Sequence, residues 1–473
     1  MIELADKKVL VVGLGMSGAA AARVATRLGA RVKVVDSSLT PLKAGLVDEL
    51  KDEGIEVSLG VVLPENLGVF DLLVASPGVP DRAPVLSAAR KAGLRILSEL
   101  ELGYRLLDGE EMVAITGTNG KTTTTRLAGH MLSVGRTSGR AVTCGNIGDP
   151  LVGLYGEVGP YDVLVVEVSS FQLQNIERFR AKVAVVLNIA PDHYDWHRDF
   201  EEYRQAKMRL VENMLPDDFL VYNQDDESCR LMAEKARGST MGFSSTRRPG
   251  SAIWVEDGWI TAGPPAGAGR VLPVSELRLA GAHNVENVMA AVGVSLAMGQ
   301  DPARIREGAA GFEGLEHRVE YVTDIDGVSF YNDSKATNPH AALHALRSFE
   351  TPTVAIMGGR NKGLDFAEVA SEVCARLGDG RMRGLVLVGE SAPEILEAVE
   401  RVCRDEADGH LAIAEDLDDS VEQAYRLSGG RGVVLFTPAC ASFDMFKDYK
   451  DRGRVFKEAV GNYKRGKSGA GGE

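Results

Sequence analysis

Short uninterrupted apolar runs at residues 9–12, 32–35 and 72–75, each followed by a stretch of helical spacing, predict parallel strands wrapped by helices. The pattern returns at 112–115, where the run feeds a Gly/Thr-rich loop and then a helix, and further buried-type strands follow at 163–168 and 183–187. Residues 249–274 change character, and their Gly, Pro and alternation predict a β excursion ahead of a helix at 284–298. Strands at 328–331, 354–357, 385–388 and 433–436 then predict another α/β series. The fold class is α/β with three domains at 1–97, 98–314 and 315–465, and the Gly/Ser-rich tail 466–473 reads as disordered.

A length of 473 residues suits that division, at roughly 100–200 residues per domain. Composition is ordinary for a globular protein, 44% hydrophobic and 25% charged, which excludes a disordered or fibrous chain. Lys and Arg number 53 against 67 Asp and Glu, and the resulting charge of −14 repels phosphate backbones and anionic lipid. Nucleic acid is therefore not an expected partner, and an anionic ligand must be met by local donors. Lys7-Lys8 ahead of the uncharged run 9–22 imitate a signal peptide, but Gly13, Gly15 and Gly18 interrupt it as a strand turning into a helix would. No apolar stretch reaches the ~18 residues of a membrane span, so membrane insertion is not expected. Cys144, Cys229, Cys374, Cys403 and Cys440 are odd in number and never paired as C-x-x-C. They predict neither a disulfide framework nor structural zinc, and suit a reducing cytoplasm.

Two glycine loops carry the candidate chemistry. Gly13-Leu14-Gly15-Met16-Ser17-Gly18 links a strand to a helix, so its bare backbone and the helix N-terminus can face a diphosphate. Asp36 closes the next strand, a pairing that resembles the dinucleotide fingerprint and keeps a nicotinamide dehydrogenase open as an alternative. Thr116-Gly117-Thr118-Asn119-Gly120-Lys121-Thr122-Thr123 is a variant Walker A loop whose usual first glycine is replaced by Ile115. There Lys121 suits β/γ-phosphates and Thr122 a magnesium ion. Glu167 interrupts an apolar strand, and a cation would offset the cost of its burial; escape to solvent at the strand end is the alternative. His193 and His197 stand four apart, but without the glutamate of H-E-x-x-H a hydrolytic zinc site is not expected, and alone His193 reads as structural.

In this order the motifs resemble the Mur ligase family from Gly13 to about Tyr463. They include Gly145-Asn146-Ile147-Gly148, Glu167-Val168-Ser169-Ser170-Phe171-Gln172, Asp192-His193, Tyr203-Arg204-Gln205-Ala206-Lys207, His283-Asn284, His317-Arg318 and Asn332-Asp333-Ser334-Lys335-Ala336-Thr337-Asn338. The resemblance implies a Rossmann-like UDP-binding domain, a central P-loop ATPase-type domain and a dinucleotide-fold-like C-terminal domain for the amino acid. Pro438-Ala439-Cys440-Ala441-Ser442-Phe443-Asp444 points within the family to ATP-dependent addition of D-glutamate to UDP-N-acetylmuramoyl-L-alanine. It implies a cytoplasmic, monomeric enzyme of small-molecule substrates that builds peptidoglycan precursors.

By that resemblance Lys121, His193, Lys207, Arg318 and Lys335 serve catalysis. Gly117, Thr118, Asn119, Gly120, Lys121, Thr122, Thr123, Asn284, Asn287, Arg318, Asp333 and Lys335 surround ATP. Gly15, Met16, Ser17, Asp36, Ser76, Gly78 and Asn146 meet the UDP substrate, and Thr337, Lys362, Ser442, Phe443 and Tyr449 the amino acid. Two magnesium sites are implied, one on Thr122 and Glu167, the other on His193 and a carbamylated Lys207. Without the family, Asn284 reads as a helix N-cap and Asp333 with Lys335 as a solvated turn. Two departures stand out: Ser37-Ser38 where many relatives place an arginine for uracil, and Asn361 where an acidic residue is common. The rivals are another amide ligase of this scaffold, such as a folylpolyglutamate synthase, the dehydrogenase, and a nucleotide-gated module without catalysis.

Overall fold

The computed structural model describes residues 2–470 apart from 40, 108–110, 194–195, 266, 268, 280 and 362. The chain divides into two compact units, Met1–Leu277 with Asn284–Phe312, and Arg278–His283 with Glu313–Glu473.

The first unit holds two sheets. One is made of β1 (Lys8–Val12), β2 (Arg31–Asp36), β3 (Glu56–Leu59), β4 (Leu72–Ala75) and β5 (Arg95–Ser98), in the order β3-β2-β1-β4-β5 and parallel throughout. Its central run is apolar at every position because both faces are covered. Val9 and Val11 join the core under the helix Met16–Arg27, while Leu10 and Val12 join the opposite core with Leu86 and Ala89 of the helix Pro84–Lys91.

The other sheet has nine strands: β6 (Glu111–Thr116), β7 (Ala141–Gly145), β8 (Val163–Glu167), β9 (Val183–Val186), β10 (Phe219–Asn223), β11 (Ser239–Ser244), β12 (Ser251–Glu256), β13 (Trp259–Ala262) and β14 (Gly269–Pro273). The order β14-β13-β12-β11-β10-β9-β6-β8-β7 sets β6 between β8 and β9. The carboxyl end of β6, where the Walker-type loop begins, thus lies between two neighbouring strand ends. The expected β excursion is the antiparallel set β12-β13-β14.

The second unit has one sheet of β15 (Glu320–Ile325), β16 (Val328–Asn332), β17 (Thr353–Met357), β18 (Met382–Val388), β19 (Leu411–Ala414) and β20 (Gly432–Phe436), ordered β15-β16-β20-β17-β18-β19. Only β15 is antiparallel to its neighbour.

Two expectations are corrected. The tail is not disordered at 466–470, because the helix Tyr449–Ala470 continues through it and Lys467 is pinned by Asp326 at 3.0 Å and the Tyr425 hydroxyl at 2.6 Å. Residues 471–473 lie outside the described residues. Second, Cys374 and Cys403 form a disulfide, with Cα atoms 5.7 Å apart. They sit on the packed helices Ala367–Gly378 and Ala392–Ala407, so a separation of 29 residues concealed a contact that helix pairing creates. Cys144, Cys229 and Cys440 are free and buried. Cysteine usage therefore gives no argument for a reducing compartment. Among the described residues no helix is long and apolar enough to cross a membrane.

Candidate active site

The first glycine loop is built for close approach. Gly13 has φ +92°, and a Cβ on Gly18 would fall 2.0 Å from the Gly13 carbonyl oxygen, so strand, turn and helix fit only without side chains. Ser76 Oγ donates to that carbonyl at 2.7 Å. Asp36 is buried and accepts from the Leu14 N–H at 2.7 Å and the Ser38 N–H at 2.8 Å, which fastens the loop to the end of β2. Gly15 is different: a Cβ there would meet nothing within 4 Å, and as N-cap of Met16–Arg27 it leaves the helix N–H groups without a side-chain cap.

A cavity of about 520 Å³ opens at this point. Gly15, Met16, Ser17, Asp36, Ser76, Gly78 and Asn146, the whole set expected to meet a UDP substrate, line it together with Ser37 and Ser38. Asn146 is contributed by the second sheet. Its amide donates to Glu167 Oε1 at 2.8 Å, which carries the cavity wall to the end of β8.

The Walker-type loop turns from β6 into the helix Lys121–Ser133 through Gly120, whose φ of +83° is left-handed. Lys121 Nζ donates to the Gly117 and Thr118 carbonyls, both at 2.9 Å, and so arches over the loop. Asn188, a residue that sequence reasoning missed, clamps the other side: its Oδ1 accepts from the Asn119 N–H at 2.8 Å and its Nδ2 donates to the Asn119 carbonyl at 3.2 Å. Its only sequence signal is a polar residue just past the apolar strand β9. Asn287 accepts from Thr124 Oγ1 at 3.2 Å and donates to Asn284 at 3.1 Å. Asn284 is not an N-cap, because the helix Ala282–Ala297 starts two residues before it.

Lys207 is 1% exposed and donates to the Gly117 carbonyl at 2.9 Å, the oxygen that Lys121 also uses. Burial, then the Lys121 charge, hold its pKa well below the ordinary lysine value, which favours a neutral amine. The Tyr203 ring lies 4.8 Å from its nitrogen, and the Tyr203 hydroxyl lies 3.0 Å from Thr118 Oγ1. His193 has φ +55° and stands edge-on to Phe171 with ring centroids 4.9 Å apart. Tyr194 and Asp195 lie outside the described residues.

Whether the residues suit magnesium can be tested on Glu167. It is 2% exposed, and its Oε2 is buried with no hydrogen-bond partner, so the side chain did not escape to solvent. An acceptor left bare in this way beside a phosphate loop fits a cation. Among the described residues no group of three or more His, Cys, Asp or Glu could hold a metal, so phosphate oxygens and the Thr122 hydroxyl would have to complete any shell.

In the second unit the expected residues follow the carboxyl ends of the adjacent strands β16, β20 and β17. Asp333 is 5% exposed, accepts from the Val319 N–H and Thr437 Oγ1, both at 3.2 Å, and is pushed up to about 7 by burial. It is not a solvated turn residue. Lys335 donates its N–H to the His317 carbonyl at 2.9 Å, and its ammonium lies 5.9 Å from the Tyr449 ring. His317, next to Arg318, has a left-handed backbone (φ +63°), its N–H donating to Glu320 at 2.8 Å and its ring Nδ1 lying 2.9 Å from the Asn332 amide nitrogen. Ser442 is buried and Phe443 exposed on the turn after β20. Arg452, also missed, donates to the Ser334 hydroxyl and carbonyl and to the Cys440 carbonyl, tying two of these turns together. Asn361 donates to Glu394 at 2.7 Å, a bond that an acidic residue could not make. Lys362 lies outside the described residues.

A glycine loop open to a diphosphate, a phosphate loop on a parallel sheet and a further α/β unit are the parts of a nucleotide-activating ligase. Three family descriptions match the chain in that order: Mur ligase MurD-like, N-terminal domain at residues 7–98, Mur ligase middle domain at 115–295 and Mur ligase, glutamate ligase domain at 317–440. The chain belongs to the Mur ligase family. It is 38% identical over 465 residues to the UDP-N-acetylmuramoylalanine--D-glutamate ligase of Caldanaerobacter subterraneus subsp. tengcongensis, covering 98% of this chain and 100% of that one. The enzyme of the same name from Pelotomaculum thermopropionicum is 40% identical over 460 residues, 97% of this chain and 98% of that one. Among solved structures, the UDP-N-acetylmuramate-alanine ligase of Thermotoga maritima shares the three-domain fold with a TM-score of 0.55 at 20% identity, over 97% of this chain and 100% of that one.

Proposed function

We propose that the chain is the ATP-dependent ligase that adds D-glutamate to UDP-N-acetylmuramoyl-L-alanine in peptidoglycan precursor synthesis. The relatives support the substrates. The observation that carries the chemistry is the bond from Asn146 to Glu167, because it joins the cavity of the first glycine loop to the strand beside the phosphate loop. A UDP-linked carboxylate lying along that cavity would reach the end of β6, where ATP is to be held.

A carboxylate is a poor electrophile and its oxygen a poor leaving group, and phosphorylation by ATP corrects both. The L-alanine carboxylate oxygen attacks the γ-phosphorus and ADP departs, leaving an acyl phosphate. The amine of D-glutamate then attacks the acyl carbon, phosphate leaves with the bonding pair, and the amine loses a proton. In this reading Lys121 and Arg318 meet the transferring phosphate, and Asn284, Asn287, Asp333 and Lys335 the rest of ATP. Thr337, Lys362, Ser442, Phe443 and Tyr449 receive the amino acid. Magnesium offsets the crowded negative charge, with Thr122 and Glu167 as ligands at one site and His193 and a carbamylated Lys207 at the other. The neutral amine favoured at Lys207 suits attack on carbon dioxide, which gives an anionic ligand once a proton leaves.

We place the domain limits at 1–97, 98–314 and 315–465. One chain carries every assigned residue, so a monomer suffices, and ATP as co-substrate suits the cytoplasm. The test is phosphate release with mass analysis of the product. Release that needs the UDP acceptor, D-glutamate, ATP and Mg²⁺ together supports the reading; no release with all four, or equal use of L-glutamate, refutes it.

A further inference from the structure

Among the described residues three buried carboxyl oxygens have no hydrogen-bond partner: Glu99 Oε2, Glu167 Oε2 and Asp444 Oδ1. Glu99 is the one of these that the proposed function leaves unused and whose neighbours lead into the UDP-substrate cavity. Its contrast with Glu101, on the same helix Glu99–Leu106, is instructive, since neither has any exposed surface. Glu101 accepts from the N–H groups of Glu177, Arg178 and Phe179 and from the Arg105 guanidinium, and every lone pair has work in the fold. Glu99 is used on one side only, where Oε1 accepts from the Val152 N–H at 2.8 Å.

Gln172 is the side chain close enough to the Glu99 carboxyl to influence it. The orientation of that amide is set by its own oxygen, which accepts from the Ser169 N–H and Oγ, both at 3.0 Å, so Nε2 must point away from Ser169. Nε2 is itself buried without a partner. The two groups are close enough for Gln172 to pull the Glu99 pKa down, yet short of a formed hydrogen bond. The two partners of Glu99 lead to the cavity in different ways. Gln172 lines it, and Val152 follows Pro150, the end of the lining stretch that contains Asn146.

We infer that Glu99 is a positioning residue for the UDP-linked substrate: by accepting from Val152 on one oxygen and from Gln172 on the other, it sets the Asn146 loop and the Gln172 side chain against the ligand, the second bond closing when the cavity fills. This rests on the cavity being the substrate site. Both bonds need an acceptor, so the ionised carboxylate is the competent form. Burial pushes Glu99 up to about 7, while the Val152 N–H and Gln172 draw it down. The Cys144 thiol, kept neutral by burial, feels the charges of both Glu99 and Asp149, and Asp36 and Glu167 are further carboxyls of the cavity and its wall. The ligand's diphosphate and its L-alanine carboxylate stay ionised between pH 6 and 8, so the protein sets the pH dependence.

The test is calorimetric binding of UDP-N-acetylmuramoyl-L-alanine without ATP, at pH 6 and pH 8, to the parent and to Glu99→Gln, with melting midpoints and steady-state kinetics. The variant keeps size and the acceptor for Val152 but sets an NH₂ group against the Gln172 amide. The parent should bind about 10-fold more tightly at pH 8, the change in ionised fraction across one unit either side of a pKa near 7. The variant should bind about 10-fold more weakly at pH 8 and nearly independently of pH, with its KM for the UDP substrate raised, its kcat within threefold and its midpoint within a few degrees. Gln172→Glu added to Glu99→Gln restores donor to acceptor and should recover most of the affinity. A variant that binds as the parent does at both pH values overturns the inference. Should the variant fail to fold, pH-independent binding by the parent overturns it alone. A parent that does not bind the nucleotide overturns the functional reading instead.

Discussion

Replacing Gly120 by alanine puts a methyl group at the turn into the phosphate loop's helix where the fold leaves no room. The residue has φ +83° and ψ −15°, a left-handed conformation that costs a side-chain-bearing residue about 1–2 kcal/mol. The new Cβ would lie 2.3 Å from Asn287 Oδ1 and 3.1 Å from Leu187 Cδ1. Asn287 must then move, which endangers its bonds with Thr124 and Asn284, each contributing about 1 kcal/mol. The sum is about 3–4 kcal/mol, shared between a lower melting midpoint and the work of restoring the loop when ATP binds. Calorimetry should show ATP affinity reduced at least 10-fold, against a ceiling of roughly 150- to 700-fold if the whole cost falls on binding. Gly15→Ala is the control. Its φ is −118° and its Cβ meets nothing within 4 Å, so the midpoint should hold while the methyl group obstructs the UDP substrate. ATP affinity within threefold of the parent and an unchanged midpoint in Gly120→Ala would refute the steric argument, as would equal destabilisation by Gly15→Ala.

Lys121→Ala should abolish phosphate release while leaving affinity for the UDP substrate within threefold, since the two ligands are assigned to different glycine loops; parallel loss of both in calorimetry contradicts that assignment. Carbon-13 NMR with labelled bicarbonate should show a carbamate signal that disappears in Lys207→Ala, and no signal in the parent with full activity in the variant rejects the modification. Thiol titration in denaturant should count three groups before reduction and five after it; removing Cys374 and Cys403 should lower stability by roughly 3–4 kcal/mol for a loop of this length, and five thiols without reductant would exclude the disulfide. Asp333 holds its proton up to about pH 7 in the fold but releases it near pH 4 when unfolded, so its contribution makes stability fall as pH rises between those values. Urea midpoints at pH 5 and pH 7 should differ less in Asp333→Asn than in the parent, and an identical slope would show that the carboxyl is ionised in the fold.

Most strands that lie deep in a sheet were legible because burial on both faces leaves an unbroken apolar run: β1, β4, β6, β8, β9, β17 and β20 all appear in the sequence close to their true limits. β3, β5, β7, β10, β11, β15 and β19 escaped. Several of these lie at a sheet edge or carry polar residues, as in Glu-Tyr-Val-Thr-Asp-Ile of β15, and without a period or a run they resemble loops. The phosphate loop was legible for the opposite reason, since its glycines and its lysine are required by the chemistry of the turn itself.

Local composition alone determined three α/β sheets, two glycine loops at strand ends and the types of residue available to phosphate and metal. Only the tertiary structure decided which residues meet. It brought Lys207 and Lys121 to a single carbonyl, paired Cys374 with Cys403 across two helices, and carried Asn146 from one sheet to the glycine loop of the other. It also separated Glu99 from Glu101, two equally buried carboxyls on one short helix, into a half-satisfied group beside the cavity and a fully bonded anchor. Spacing along a strand or helix is dictated by the backbone. Burial, charge state and unmet hydrogen bonds depend on neighbours distant in sequence, and those exist only once the sheets have packed.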